Sequence, residues 1–169
     1  MPLGIQNAPE YIGIGLDNSA IRTLTSRAQN IQILKAEGPA PYISGLMLEL
    51  GGDFTVFNGR NGVELIDNLR AGCAGTIPGV ECCDLQIQIY NSWRSGDHSV
   101  ATTQFRQALP LLSYLMLTID HLLCYGKRLA AQRLGITQVH DRQPAMAATP
   151  VDLDTLDFWS RDLGPLPEM

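Results

Sequence analysis

The chain holds two lysines against ten arginines, and the two lysines stand in different surroundings. Lys35 ends the apolar, β-branched run Ile31-Gln-Ile-Leu-Lys35, with Glu37, Gly38 and Pro39 opening a loop beyond it. That pattern predicts the carboxyl end of a buried strand. An amine taken out of water gives up its proton more readily, and a neutral amine can attack a carbonyl carbon to form a Schiff base. A lysine at a strand end can equally lay its stem on apolar surface and send its head to solvent. Lys127 lies in Tyr125-Gly-Lys-Arg-Leu-Ala-Ala-Gln-Arg133, a charged helical run in which a solvated role is expected.

The other reactive residue types are scattered. Cys73, Cys82, Cys83 and Cys124 lack the paired spacing of a zinc site, and His98, His121 and His140 are dispersed. Reduced thiols are the expected state of all four cysteines. Gly13-Ile-Gly15-Leu-Asp-Asn has two glycines of a dinucleotide fingerprint but not the third, and neither the preceding strand nor the ribose-binding acid is convincing.

Strands and helices must place Lys35. Residues 1–7 read as a strand, and Pro9, Gly13 and Gly15 as a loop. Asp17, Asn18 and Ser19 suit a helix cap, with Ile21, Leu24 and Ala28 at helical spacing up to Asn30. After the strand of Lys35 come a helix over 42–50 closed by Gly51-Gly52, a strand over 54–57 and a loop over 59–62. A helix over 63–71 closed by Gly72 and a strand over 74–77 follow. Strands and helices thus alternate at spacings of about 20 to 30 residues, the mark of βα units on a parallel sheet. Beyond Val80 the pattern becomes helical. Leu85, Ile89 and Trp93 share one face. Phe105, Leu109 and Leu112 belong to a longer helix kinked at Pro110. Leu122, Leu129 and Ala130 suggest a third helix, and a last short one covers 153–159. The expected segments are 1–79 for the βα units, 80–135 for the following helices and 136–169 for a tail.

At 169 residues the chain can bury a real core. A net charge of −5 argues against a nucleic-acid partner. The longest apolar stretch, 109–117, is broken by Pro110, Ser113 and Tyr114 and is too short to span a membrane. The first residues lack the basic start and apolar centre of a secretory leader, so a cytoplasmic location is expected.

Several segments, in order, resemble the dihydrodipicolinate synthase and N-acetylneuraminate lyase superfamily of Schiff-base aldolases. Gln6-Asn-Ala-Pro9 followed by Gly13 is similar to the family's Tyr-Asn-x-Pro…Gly after its fifth strand. Leu34-Lys35-Ala-Glu37 resembles the Schiff-base lysine motif of the sixth. Phe57-Asn-Gly59-Arg-Asn61 resembles the loop after the seventh, and Gly72-Cys-Ala-Gly-Thr-Ile-Pro78 the segment of the eighth. Trp93-Arg-Ser-Gly-Asp97, residues 109–112 and Lys127 resemble the C-terminal helices. The resemblance implies an α/β fold: the C-terminal half of a (β/α)8 TIM barrel, strands 5 to 8, followed by a C-terminal helical layer. It covers almost the whole chain but begins at strand five, so the chain reads as half a barrel.

The resemblance also implies chemistry. Lys35 would attack the ketone of a 2-oxo acid, and the protonated imine would serve as electron sink without a metal or organic cofactor. Gln6 stands where the family has a proton-relaying tyrosine. A glutamine can hold a water or a hydroxyl but cannot ionise. With the Gly-Thr-Ile-Pro-Gly segment, it is similar to the branch that dehydrates 2-keto-3-deoxy sugar acids. Gly59 and Asn61 would sit at the mouth of the seventh strand, and Thr76 and Ile77 near the imine, Ile77 through its carbonyl. Arg60 would contact an anionic substrate or remain a solvated loop arginine. A homo-oligomer acting on a 2-oxo acid is the expected form. The competing reading is a non-catalytic fragment that only folds or associates. It rests on an unpaired first strand and on Leu3, Ile5 and Ile33, which would lack a facing layer.

Overall fold

The computed structural model describes residues 1–167 and divides them into two compact units, one over 1–77 and one from residue 78 onward. The first is a four-stranded, wholly parallel sheet in the order β1-β2-β3-β4: β1 Leu3–Asn7, β2 Ile31–Ala36, β3 Thr55–Asn58 and β4 Gly75–Thr76. Helices α1 Pro9–Ile12, α2 Asn18–Arg27, α3 Ala40–Leu50 and α4 Leu65–Arg70 fill the crossovers. The alternation read from the sequence is the alternation observed.

The register sorts the strand residues into two faces. Ile5, Leu34 and Val56 lie in one lateral row, and Asn7, Ala36, Asn58 and Thr76 in another row on the same face. This face meets the helices. Leu34, Ala36 and Val56 are buried with Ile21, Ile43, Leu46, Leu50, Phe54 and Cys73, and Ile5 packs against that cluster. The concern that Ile5 would lack a facing layer is therefore not realised. On the other face Gln6, Lys35, Phe57 and Gly75 form a row, with Gln6 exposed and Lys35 and Phe57 partly so.

Several boundaries move, each for a local reason. Where a loop was read at Pro9, residues 9–12 form one helical turn. Proline fits its first position, and Gly13 closes it at φ 71°. Asp17 caps α2 as expected, accepting from the Ala20 amide, but the helix stops at Arg27 rather than Asn30. Its neighbour α3 begins at Ala40, because Pro39 pre-sets an extended entry and Ala40 and Pro41 tolerate the first turn. The last strand shrinks to Gly75–Thr76.

The second unit is helical: α5 Cys83–Arg94, α6 His98–Leu115 with Pro110 inside it, α7 Ile119–His121, a π-helical turn Leu122–Gly126, α8 Lys127–Arg133 and α9 Pro150–Ser160. On α5, Ile89 is buried but Leu85 and Trp93 are only half so, and Gln86 joins the interior instead. Arg133 ties this unit together. Its guanidinium forks onto Asp84 at 2.8 and 2.6 Å and donates to the carbonyls of Glu81 and Gly164. No single helix among the described residues is long and apolar enough to cross a membrane; α6 with the 119–133 run passes only as a pair bent by 99°.

Candidate functional site

β2 delivers Lys35 where the sequence placed it, one residue before the strand's end and beside Gln6 of β1 and Phe57 of β3. Its side chain is not a dry, isolated amine. It is 24% exposed, and its Nζ lies 2.5 Å from Oε1 of Glu37, whose side chain is 7% exposed. Lys35 and Glu37 are two residues apart, and the Glu37 amide donates to the carbonyl of Asn7, carrying the ladder past β2. Extended backbone with a period of two sends both side chains to the same side.

Gln6 joins them through Glu37: its Nε2 donates to the same Oε1 at 3.2 Å. Gly59 joins them by close approach. A Cβ at Gly59 would fall 2.5 to 2.8 Å from the carboxylate atoms of Glu37, so the carboxylate occupies space that a side chain would need. The structure thus brings Gln6, Lys35 and Gly59 around one carboxylate.

Thr76 is placed differently from the expectation. Gly75 shares the row of Lys35, while Thr76 shares the row of Ala36 and Asn58 on the helix-facing side. Its hydroxyl donates to the carbonyls of Asn58 at 2.9 Å and Gly59 at 3.3 Å, bracing the turn instead of lining the lysine face. Ile77 follows β4, is exposed, and donates its amide to the Asn58 carbonyl. Asn58 in turn donates its side-chain amide to the Gly38 carbonyl, fastening the loop after Glu37 to β3.

Asn61 is buried in the 3-10 turn Arg60–Gly62 that follows Gly59. Arg60 and Asn61 have φ values of 49° and 48°, a left-handed pair that non-glycine residues hold only under constraint. The constraint on Arg60 is electrostatic: it pairs with Glu10 at 2.8 Å and Glu64 at 3.1 Å. Its guanidinium, 24% exposed, is thus paired with two carboxylates at the mouth of β3. Burial pushes the Glu64 carboxyl up against the opposing pull of Arg60. Lys127 is a surface residue as expected, paired with Asp141 at 2.6 Å.

Sequence reasoning did not single out Glu37 or Tyr11 as neighbours of the lysine site. Burial raises the Tyr11 phenol above its usual value, with Arg60 opposing and Glu37 and Glu10 adding to the rise. The spacing Lys-x-Glu at a strand end was the available signal for Glu37. No comparable signal pointed to Tyr11, whose place depends on the turn α1. Among the described residues no group of three or more His, Cys, Asp or Glu side chains could hold a metal ion.

No protein-family profile matches the chain. A curated relative, an L-2-keto-3-deoxyarabonate dehydratase of Azospirillum brasilense, is 26% identical over 141 residues, covering 79% of this chain and 45% of its own. A dihydrodipicolinate synthase from Rhodopseudomonas palustris superposes with a TM-score of 0.83 at 20% identity, covering 96% of this chain and 56% of its own. A catalytic-lysine mutant of a Ruminococcus gnavus sialic acid aldolase superposes with a TM-score of 0.78 at 15% identity, covering 95% and 53%. The chain spans about half the length of each. By sequence the chain is similar to this dehydratase, and by fold it corresponds to the C-terminal half of the (β/α)8 barrel of the dihydrodipicolinate synthases.

Proposed function

We propose that the chain is the lysine-bearing part of a Schiff-base lyase acting on a 2-oxo acid, most specifically a dehydratase of 2-keto-3-deoxy sugar acids. The observation that carries this reading is Lys35. It stands at the carboxyl end of a parallel strand, the end at which barrel enzymes assemble their sites, with Gln6 beside it and Glu37 on its amine. The relative named for dehydrating L-2-keto-3-deoxyarabonate supports the substrate class, and the aldolase named for its catalytic lysine supports the nucleophile.

In the reaction Lys35 attacks the C2 ketone, and loss of water leaves a protonated imine. The imine draws electrons from C3, so a C3 proton departs and an enamine forms. The enamine expels the C4 hydroxyl, which leaves as water with a proton, and hydrolysis releases the product and the lysine. Cleavage of a C3–C4 bond would use the same imine, which is why aldolases share it. Gln6 holds a water or a substrate hydroxyl. Gly59 and Asn61 shape the mouth of β3, Thr76 fixes the Gly59 carbonyl, and Ile77 offers its carbonyl near the imine. The amine supplies the electron sink, so the chemistry calls for no metal or organic cofactor.

A second reading, a fragment that folds or associates without catalysis, is favoured by one observation. β1 is an edge strand whose first residues are exposed. Incubation with pyruvate and borohydride followed by peptide mass spectrometry separates the two. The lyase reading expects a reduced adduct on Lys35 and none on Lys127. Equal labelling of both lysines, or none, supports the fragment.

A further inference from the structure

We propose that a groove in the helical unit is a binding site for a neutral sugar, built without any residue of the sheet unit. The groove lies between α5, α6 and the end of α9 and has a volume of about 450 Å³. Small-molecule sites are of this size and often lie between packed helices. Two helical stripes form its walls. On α5, Leu85, Gln88 and Ile89 recur at i, i+3 and i+4; on α6, Gln104, Gln107, Ala108 and Leu111 recur at i, i+3, i+4 and i+7. Ile89, Ala108 and Leu111 are buried and give the groove an apolar floor. The same stripes carry three amides where an ordinary packing face would be apolar throughout. Trp159 and Asp162 complete the rim from α9 and the turn beyond it.

These groups are held in place. Ser92 Oγ donates to Gln104 Oε1 at 3.0 Å, which ties α5 to α6 and leaves the Gln104 amide hydrogens to donate elsewhere. Arg161 lies over the Phe158 ring at 4.4 Å, and Phe158 meets Trp159 at 82° with centroids 4.9 Å apart, so the indole is braced by its neighbours. The Leu163 amide donates to the Ser160 carbonyl, and Arg133 donates to the Gly164 carbonyl, fixing the turn that carries Asp162. Among the described residues, the side chains of Gln88, Gln107 and Asp162 make no hydrogen bond or ion pair. The chemistry selects the occupant. An indole packs against the C–H face of a sugar ring, amides both donate to and accept from hydroxyls, and a carboxylate accepts from them. No lysine, arginine or histidine lines the groove, and the unpaired Asp162 carboxylate opposes an anion. A neutral sugar therefore fits, whereas a sugar acid, the substrate class proposed for Lys35, is disfavoured.

The test is saturation-transfer NMR on the 169-residue chain. The probes are the methyl glycosides of arabinose, galactose and glucose at millimolar concentration, each compared with arabonate, galactonate or gluconate. At least one glycoside is expected to be saturated more strongly than its acid. Trp159→Ala should weaken its binding by about tenfold, the scale of one lost aromatic contact. Trp159→Phe, which keeps an aromatic ring, should lose only part of it, and both variants are checked for an unchanged melting temperature. Asp162→Lys should shift the preference toward the acids. Lys35→Ala should leave glycoside binding unchanged, which separates this groove from the lysine site. Saturation of no glycoside overturns the proposal, as does binding that survives Trp159→Ala or that is lost in Lys35→Ala. A chain that binds no glycoside but moves toward monomer in sedimentation on Trp159→Ala would assign the groove to a second copy, and the sugar site would fall.

Discussion

Gln6 and Lys35 are lateral partners in the β1–β2 ladder, and both side chains reach the same oxygen of Glu37. The relation ties a side chain that cannot ionise to an amine through one shared carboxylate. It also makes the site depend on register. A one-residue slip of β1 against β2 would send Gln6 to the helix-packed face, leaving Glu37 with the lysine alone.

Gly59→Ala should damage that arrangement without unfolding the sheet. The added Cβ would meet the Glu37 carboxylate at less than contact distance, and the carboxylate, at the end of a side chain, is what gives way. The Lys35 adduct should form about tenfold or more slowly, on the scale of losing one positioned acid–base partner, with a melting temperature within a few degrees of the parent. A normal trapping rate would show that Glu37 keeps its place despite the methyl group, and that the cradle is unnecessary.

Arg133→Met should destabilise the helical unit. Arg133 is 3% exposed and satisfies Asp84 bidentately together with two carbonyls. Removing one partner of such a pair strands the other, at about 3 kcal/mol. The pH dependence has a definite sign. The Arg133 guanidinium holds the Asp84 carboxyl below its usual range, so the pair's contribution is present above the unfolded value of about 4. It is lost as pH falls through the lower folded value. Urea melts of parent and variant should differ most near neutrality and converge below about pH 4. A gap that stays constant on acidification would show that packing of the arginine stem, not the charge pair, carries the effect.

The order of strands and helices was legible because parallel strands read as short apolar runs, and Ile31 to Lys35 is such a run. The position of Lys35 followed directly. Glu37 was half legible: its spacing from Lys35 was visible, but its burial depends on Asn7 extending the ladder and on Gly59 standing clear, both remote in sequence. Thr76 was misplaced because the parity of a two-residue strand is set by pairing with Asn58, not by its own pattern. The fork of Arg133 onto Asp84 spans 49 residues and left no local trace.

Self-association is expected of the isolated chain. β1 sits at the sheet's edge and carries no charged residue, and its exposed Leu3 offers apolar surface. Unpaired edges of this kind template further pairing. Sedimentation should show species larger than a monomer, and Leu3→Lys should shift them toward monomer. A monodisperse monomer with a cooperative melt would mean that the edge is silent.

The last expectation concerns Gln6. If the strand position holds a water or a substrate hydroxyl, then Gln6→Tyr in the complete enzyme replaces an amide with a bulkier phenol and displaces what the amide held. Turnover of a 2-keto-3-deoxy sugar acid should fall by about 10²-fold, the usual scale for one acid–base partner. Imine formation at Lys35 should persist, because Glu37 remains beside the amine and a phenol can still donate to its oxygen. The two measurements separate imine formation from the elimination that follows it. Should Gln6→Tyr leave dehydration intact and instead raise condensation with an aldehyde, the strand-five residue would be choosing between reactions of a common enamine. Its assignment to the dehydration step would then fail.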